Sequence, residues 1–141
     1  MYLQKGTDQI DCMLAAAAMV MDIPLAELKE RIHHDAFEKI FPNAPEPMCY
    51  RGYHIQEIID QAFLNGWHVM EIQTKPSLVC FADGNKDSEF FIPINDNRIK
   101  VYLGNFSGII GGILPGITAH AVAWDHKEKK IYDPCGEVYK L

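Results

Sequence analysis

Two kinds of apolar spacing divide this chain near Gly66. Before it, apolar residues recur every three to four positions, the period of a helix buried on one side. The first stretch is "MLAAAAMVM" (13–21), led in by Asp11 and Cys12. Alanine has the highest helix propensity and aspartate is a favoured N-cap, so a helix is expected to begin at Cys12. "DIP" (22–24) restarts the chain, with Asp22 as the next N-cap and Pro24 in the first turn, where its missing N–H costs nothing. Leu25, Leu28, Ile32 and Phe37 follow at helical spacing. "FPNAPEP" (41–47) carries three prolines and reads as a loop. Ile55, Ile58, Ile59, Ala62 and Phe63 then share one face of a third helix, with Gly66 as its stop.

Beyond Gly66 the pattern shortens to the alternation of strands. "WHVMEIQ" (67–73), "FFIPI" (90–94), "IKVYLG" (99–104), "AHAVAWD" (119–125) and "KKIYD" (129–133) are the expected strands. "ADGNKDSE" (82–89) is a polar turn, and "GNFSGIIGGILPG" (104–116) is glycine-rich enough to be an adaptable loop or a flap. Helices first and an antiparallel sheet second make an α+β fold, and residues 1–141 are expected to form a single domain.

Composition narrows the function classes. Apolar residues make up 48% and charged residues 23%, which sets the chain apart from disordered ones. A net charge of −6 with no Lys/Arg cluster argues against nucleic acid as a partner. The longest apolar run is far shorter than the roughly 20 residues of a membrane span. It also lacks the positive lead-in of a secretory signal, because Lys5 is offset by Asp8 and Asp11. Cys12, Cys49, Cys80 and Cys135 are widely spaced, without a CxxC pair. A zinc ribbon and a disulfide framework are therefore not expected, and a reducing, cytoplasmic setting fits.

The candidate chemistry lies at the two ends. "AHAVAWD" and "KKIYD" flank "HKE" as a hairpin, and a turn centred between His126 and Lys127 sets His120 directly opposite Asp133. Directly opposed residues bring an imidazole and a carboxylate within hydrogen-bond reach. Such a pair supplies what a thiol needs as a partner. A helix N-terminus and a nearby imidazolium both favour thiolate in general, and first-turn N–H groups are free to stabilise an oxyanion. Taken singly, Cys12 suits a small core residue, His120 a tucked-in strand histidine and Asp133 the start of a turn. Of the remaining residues, His33 and His34 face different directions and suit a solvated helix end. Trp124 shares a strand face with His120, Asp125 points the other way, and Cys135 follows Asp133 closely enough to line the same site.

"DQIDCMLAAAAMV" and "HAVAW…IYDP" resemble the two signature regions of the C39-like branch of papain-fold cysteine peptidases. Members of that branch typically read Q…DCGxAxLAMV near the N-terminus and H-[FAY]-V-V before a strand ending in D-P. The order Cys, His, Asp is also the family's, and the matching segments cover about 30 of the 141 residues. The resemblance implies a papain-like fold in which Cys12 is the nucleophile, His120 the general base and acid, and Asp133 the residue that orients it. It implies hydrolysis of an amide bond in a peptide or protein through a thioester, with no metal or organic cofactor. This chain has Met13 where the family has glycine, and Gly6 where the family's oxyanion glutamine stands. Gln4 or Gln9 would have to fill that role, Gln4 being preferred because it follows the apolar pair Tyr2-Leu3. The same fold could serve as an inert binding or inhibitor module, and the same three residues could support transglutamination or deamidation. Oligomeric state is left open.

Overall fold

A computed structural model describes residues 1–6, 11–34, 36, 40–41, 50–51, 53, 55–70, 72, 96–113 and 119–140. The chain forms two compact units, Met1–Val69 with Phe106–Leu141, and Met70–Asn105. The first carries helices α1 (Cys12–Met21), α2 (Leu25–Ile32) and α3 (Ile55–Leu64) and the short strand pair β1 (Ile40–Phe41) and β2 (Tyr50–Arg51). It also carries the strands β3 (Gly108–Ile113), β4 (Ala119–Asp125), β5 (Lys130–Asp133) and β6 (Glu137–Lys140). The described part of the second unit is dominated by α4 (Asp96–Asn105). Helices and an antiparallel sheet in the order β3-β4-β5-β6 make the fold α+β.

Helix α1 is the centre of the first unit. Leu14, Ala15, Ala16, Ala17, Ala18, Met19 and Met21 are all buried, so this helix is apolar around its whole circumference. Such a helix is stable only when neighbours cover every side. On one side Leu14, Ala15, Ala18 and Met21 meet Leu25 and Leu28 of α2 and Ile58 and Ala62 of α3. On the other, Ala16 and Met19 meet Ala121 and Ala123 of β4 and Tyr132 of β5. Small residues on both surfaces let helix and sheet approach closely.

Several local expectations change. Asp22 does not cap α2; it closes α1 in the left-handed conformation (φ 58°), and Ile23 N–H bonds Ala18 O at 3.0 Å. Aspartate tolerates that conformation better than most residues. Pro24 takes the N-cap place, its carbonyl accepting Leu28 N–H at 3.0 Å. Phe37, most of the proline-rich loop and "FFIPI" lie outside the described residues, and Phe41 at the loop's start belongs to β1. Phe63 is 55% exposed, so the buried face of α3 is narrower than its apolar face.

"IKVYLG" is helical, within α4, where Asn105 Nδ2 donates to Val101 O one turn back at 2.7 Å. Ile99, Val101 and Leu103 alternate, yet Ile99 and Leu103 also stand four apart, and short apolar runs fit either period. Trp67–Met70 forms no strand: Trp67, His68, Val69 and Met70 are all exposed, so the alternation has no buried face to serve. "GIIGGI" is strand β3, since β4 supplies a full ladder of partners from Gly108↔Trp124 to Ile113↔Ala119. The rest of that expected loop, 114–118, is outside the described residues. Strand β6 was not foreseen.

The close approach at Ala16 gives a prediction. Ala16→Leu inserts three carbons into a fully buried gap facing Ala121 and Ala123 and should destabilise the protein by about 1–3 kcal/mol, from overpacking. Urea unfolding checks it: the midpoint falls while the slope is unchanged.

Candidate active site

The β4–β5 hairpin determines where the histidine and the acid meet. Ala123 pairs Tyr132, Trp124 pairs Ile131 and Asp125 pairs Lys130, leaving a four-residue turn over 126–129. Asp125 Oδ1 accepts Lys127 N–H at 3.0 Å and Glu128 N–H at 3.2 Å, and Lys129 closes the turn at φ 53°. The turn is therefore centred one residue later than expected. Continued along the strands, this register sets Val122 rather than His120 opposite Asp133. His120 and Asp133 become diagonal neighbours on the same face, a separation that long side chains can bridge. They do so: His120 Nε2 lies 3.1 Å from Asp133 Oδ1, both side chains largely buried. The register shift moved the pairing by two residues, which preserves the face, and that is why the contact survives it.

Cys12 is the first residue of α1, half-buried and unbonded to any other cysteine. It starts the helix stripe that continues through Ala16 and Met19, and packs against the cluster containing Ala121 and Tyr132. Asp11 stands at the N-cap position but makes no side-chain capping bond. Its carboxylate, 1% exposed, is instead paired with Lys29 Nζ of α2 at 2.7 Å. No sequence signal links those two. Met13 packs against both core clusters.

A third group completes the cluster. After Asp133 the chain turns through Pro134, Cys135 and Gly136: Asp133 Oδ1 accepts Cys135 N–H at 2.8 Å and Asp133 O accepts Gly136 N–H at 2.8 Å. Ligating atoms of His120, Asp133 and Cys135 all lie within 4.8 Å of one another. Cys135 is exposed, and the pKa of its thiol is raised, chiefly because it is hydrogen-bonded to Asp133 and also by slight loss of solvent and the nearby negative charge. Cys12 adds to the same shift, so the two sulfurs are within electrostatic range. The N-terminal segment runs beside this turn: Gly6 N–H bonds Pro134 O at 3.0 Å. Lys5 lies over Gly136 so closely that an added Cβ there would come within 2.7 Å of Lys5 Cε. The two far ends of the chain thus meet at the Asp133–Gly136 turn.

Gln4 is taken up elsewhere. Its Nε2 donates to Ile23 O at 2.7 Å and its Oε1 accepts Leu25 N–H at 2.6 Å. Those partners follow the C-terminal end of α1, and ten helical residues span roughly 15 Å, so Gln4 is not an oxyanion donor for Cys12. Gln9 lies outside the described residues, as do Cys49 and Cys80. His34 is not solvated: its Nε2 meets Glu57 Oε1 at 2.9 Å and its ring stacks on Tyr53. Opposite His120, Gly112 of β3 leaves the strand surface open, since a Cβ built there meets nothing within 4 Å.

Compared with known proteins, the chain matches no family model, no curated protein and no solved structure. Among the described residues no helix is long and apolar enough to cross a membrane.

The raised Cys135 thiol leads to a directional prediction. A raised pKa means less thiolate at a given pH, hence slower alkylation. Asp133→Asn removes the accepting charge, so the pKa should fall towards its ordinary value. Cys135 should then react faster with iodoacetamide at pH 7.5, as followed by peptide mass mapping. An unchanged or lower rate would contradict the assigned cause.

Proposed function

We propose that this chain is a papain-like cysteine peptidase or amidase of the C39-like type, acting on peptide or protein substrates in a reducing, cytoplasmic setting. The observation that carries the reading is the hydrogen-bonded pair of His120 Nε2 and Asp133 Oδ1. With Nε2 turned to the acid, Nδ1 is the nitrogen left to exchange a proton with a thiol. Cys12, at the tip of a helix packed on the strand that bears His120, is the thiol assigned to it. Cys135 is nearer in sequence to the pair but is held towards the protonated form by Asp133, which suits it poorly as a nucleophile.

In this reading His120 takes the Cys12 proton as sulfur attacks the amide carbonyl carbon. It then returns that proton to the leaving amine. Water, deprotonated by His120, releases the acid from the thioester and regenerates the thiol. Backbone N–H groups in the first turn of α1 are the nearest donors for the oxyanion, and Gln9 is the side-chain candidate once Gln4 is engaged elsewhere. The open strand surface at Gly112 gives an extended substrate room beside the imidazole.

A second reading is an inert module of the same fold that binds or inhibits a partner. The engagement of Gln4 by Ile23 and Leu25 favours it, because the family's oxyanion donor is then absent from that residue.

Alkylation separates the two. At pH 6–7, iodoacetamide should modify Cys12 well ahead of the other cysteines, and His120→Ala should slow that reaction by about tenfold or more. Slow, equal labelling of all four, unaffected by His120→Ala, would favour the inert module.

A further inference from the structure

The grouping of His120, Asp133 and Cys135 has a use beyond proton transfer. An imidazole nitrogen, a carboxylate oxygen and a thiol sulfur form a mixed N/O/S donor set, the kind zinc(II) accepts. Hard cations such as magnesium prefer oxygen alone, and the thiol disfavours them. The spacing also fits. Tetrahedral zinc bonds of about 2.0–2.3 Å place neighbouring ligand atoms roughly 3.3–3.7 Å apart. His120 Nε2 and Asp133 Oδ1 are already 3.1 Å apart, and the sulfur is within 4.8 Å of both. Cys135 is exposed, on a two-bond side chain whose rotation can bring the sulfur in. The framework is well held: β4 and β5 carry two of the ligands, and Gly6 and Lys5 pack against the turn that carries the third.

We propose that His120, Asp133 and Cys135 form a three-ligand zinc(II) site, with water completing the coordination. Binding moves the Nε2 proton to Nδ1, so that a neutral imidazole coordinates through Nε2, and expels the Cys135 thiol proton to solvent; Nδ1, the atom that would have to accept the Cys12 proton, then already carries one. Occupancy and turnover by Cys12 are then mutually exclusive. The metal site stands on its own geometry; only this inhibitory consequence rests on the function proposed above.

Zinc and cobalt(II) titrations of the full-length reduced protein test it. Competition with a chromophoric chelator should give one saturable zinc site. Cys135→Ser and His120→Ala should each weaken it by at least about 100-fold, since even outer-shell substitutions cost 10–100-fold. Cys12→Ser should retain it, with circular dichroism confirming that each variant is folded. Cobalt should give a thiolate charge-transfer band in the wild type and in Cys12→Ser, and lose it in Cys135→Ser. No saturable site, a site indifferent to Cys135→Ser, or a cobalt–thiolate band that depends on Cys12 would each overturn the assignment. Retention of the site in a protein whose Cys12 proves unreactive would leave the metal site in place and remove only the peptidase reading.

Discussion

Close packing between α1 and β4 is the constraint on which the rest of this molecule depends. Ala16 on the helix and Ala121 and Ala123 on the strand present almost no side chain to each other, so the two backbones come near. An apolar helix with no polar face has no position of rest except between other elements, and α2 and α3 close its far side. Its axis is therefore held from both directions, and its first residue has little freedom. Cys12 is placed by that packing: the helix stripe that buries Ala16 and Met19 against the sheet is the stripe that Cys12 begins. Burial of Asp11 beside Lys29 secures the same helix end from the other flank.

The second feature of weight is the use made of Asp133. One carboxylate oxygen receives the imidazole of His120 and the backbone N–H of Cys135, so a single side chain orients the histidine and shapes the turn after it. The same carboxylate holds the Cys135 thiol towards its neutral form. The two described cysteines thereby have different surroundings: one opens a helix, the other faces an acid. The raised pKa of Cys135 is why the proposed reaction is given to Cys12 and only the proposed metal site to Cys135.

How far the amino-acid sequence foretold this varies with the physics behind each signal. The start of α1 at Cys12 and the extent of α3 followed from alanine propensity and helical spacing, which are strong and local. Strand β4 was legible because Ala121 and Ala123 alternate with Val122 and Trp124. The hairpin register was not, because Asp125 accepts two turn N–H groups and moves the turn by one residue, a choice that depends on a side-chain bond. The contact of His120 with Asp133 was recovered all the same, since both registers keep the two residues on one face. "IKVYLG" and "WHVMEIQ" show the limit of period alone: the first has both spacings, and the second has alternation but nothing to bury against. Gln4 shows another limit. Its neighbours in sequence suggested the helix tip, whereas its amide is satisfied by Ile23 and Leu25, a contact across nineteen or more residues that no local pattern encodes.

The proposed chemistry requires the Cys12 sulfur to reach Nδ1 of the His120 imidazole, the nitrogen not turned to Asp133. Nitrogen-15 NMR of the His120 ring, recorded before and after selective alkylation of Cys12, tests it most directly. The account predicts that Nδ1 shifts strongly on alkylation while Nε2, held by Asp133, moves little. A ring spectrum indifferent to the state of Cys12 would place the sulfur out of reach and contradict it.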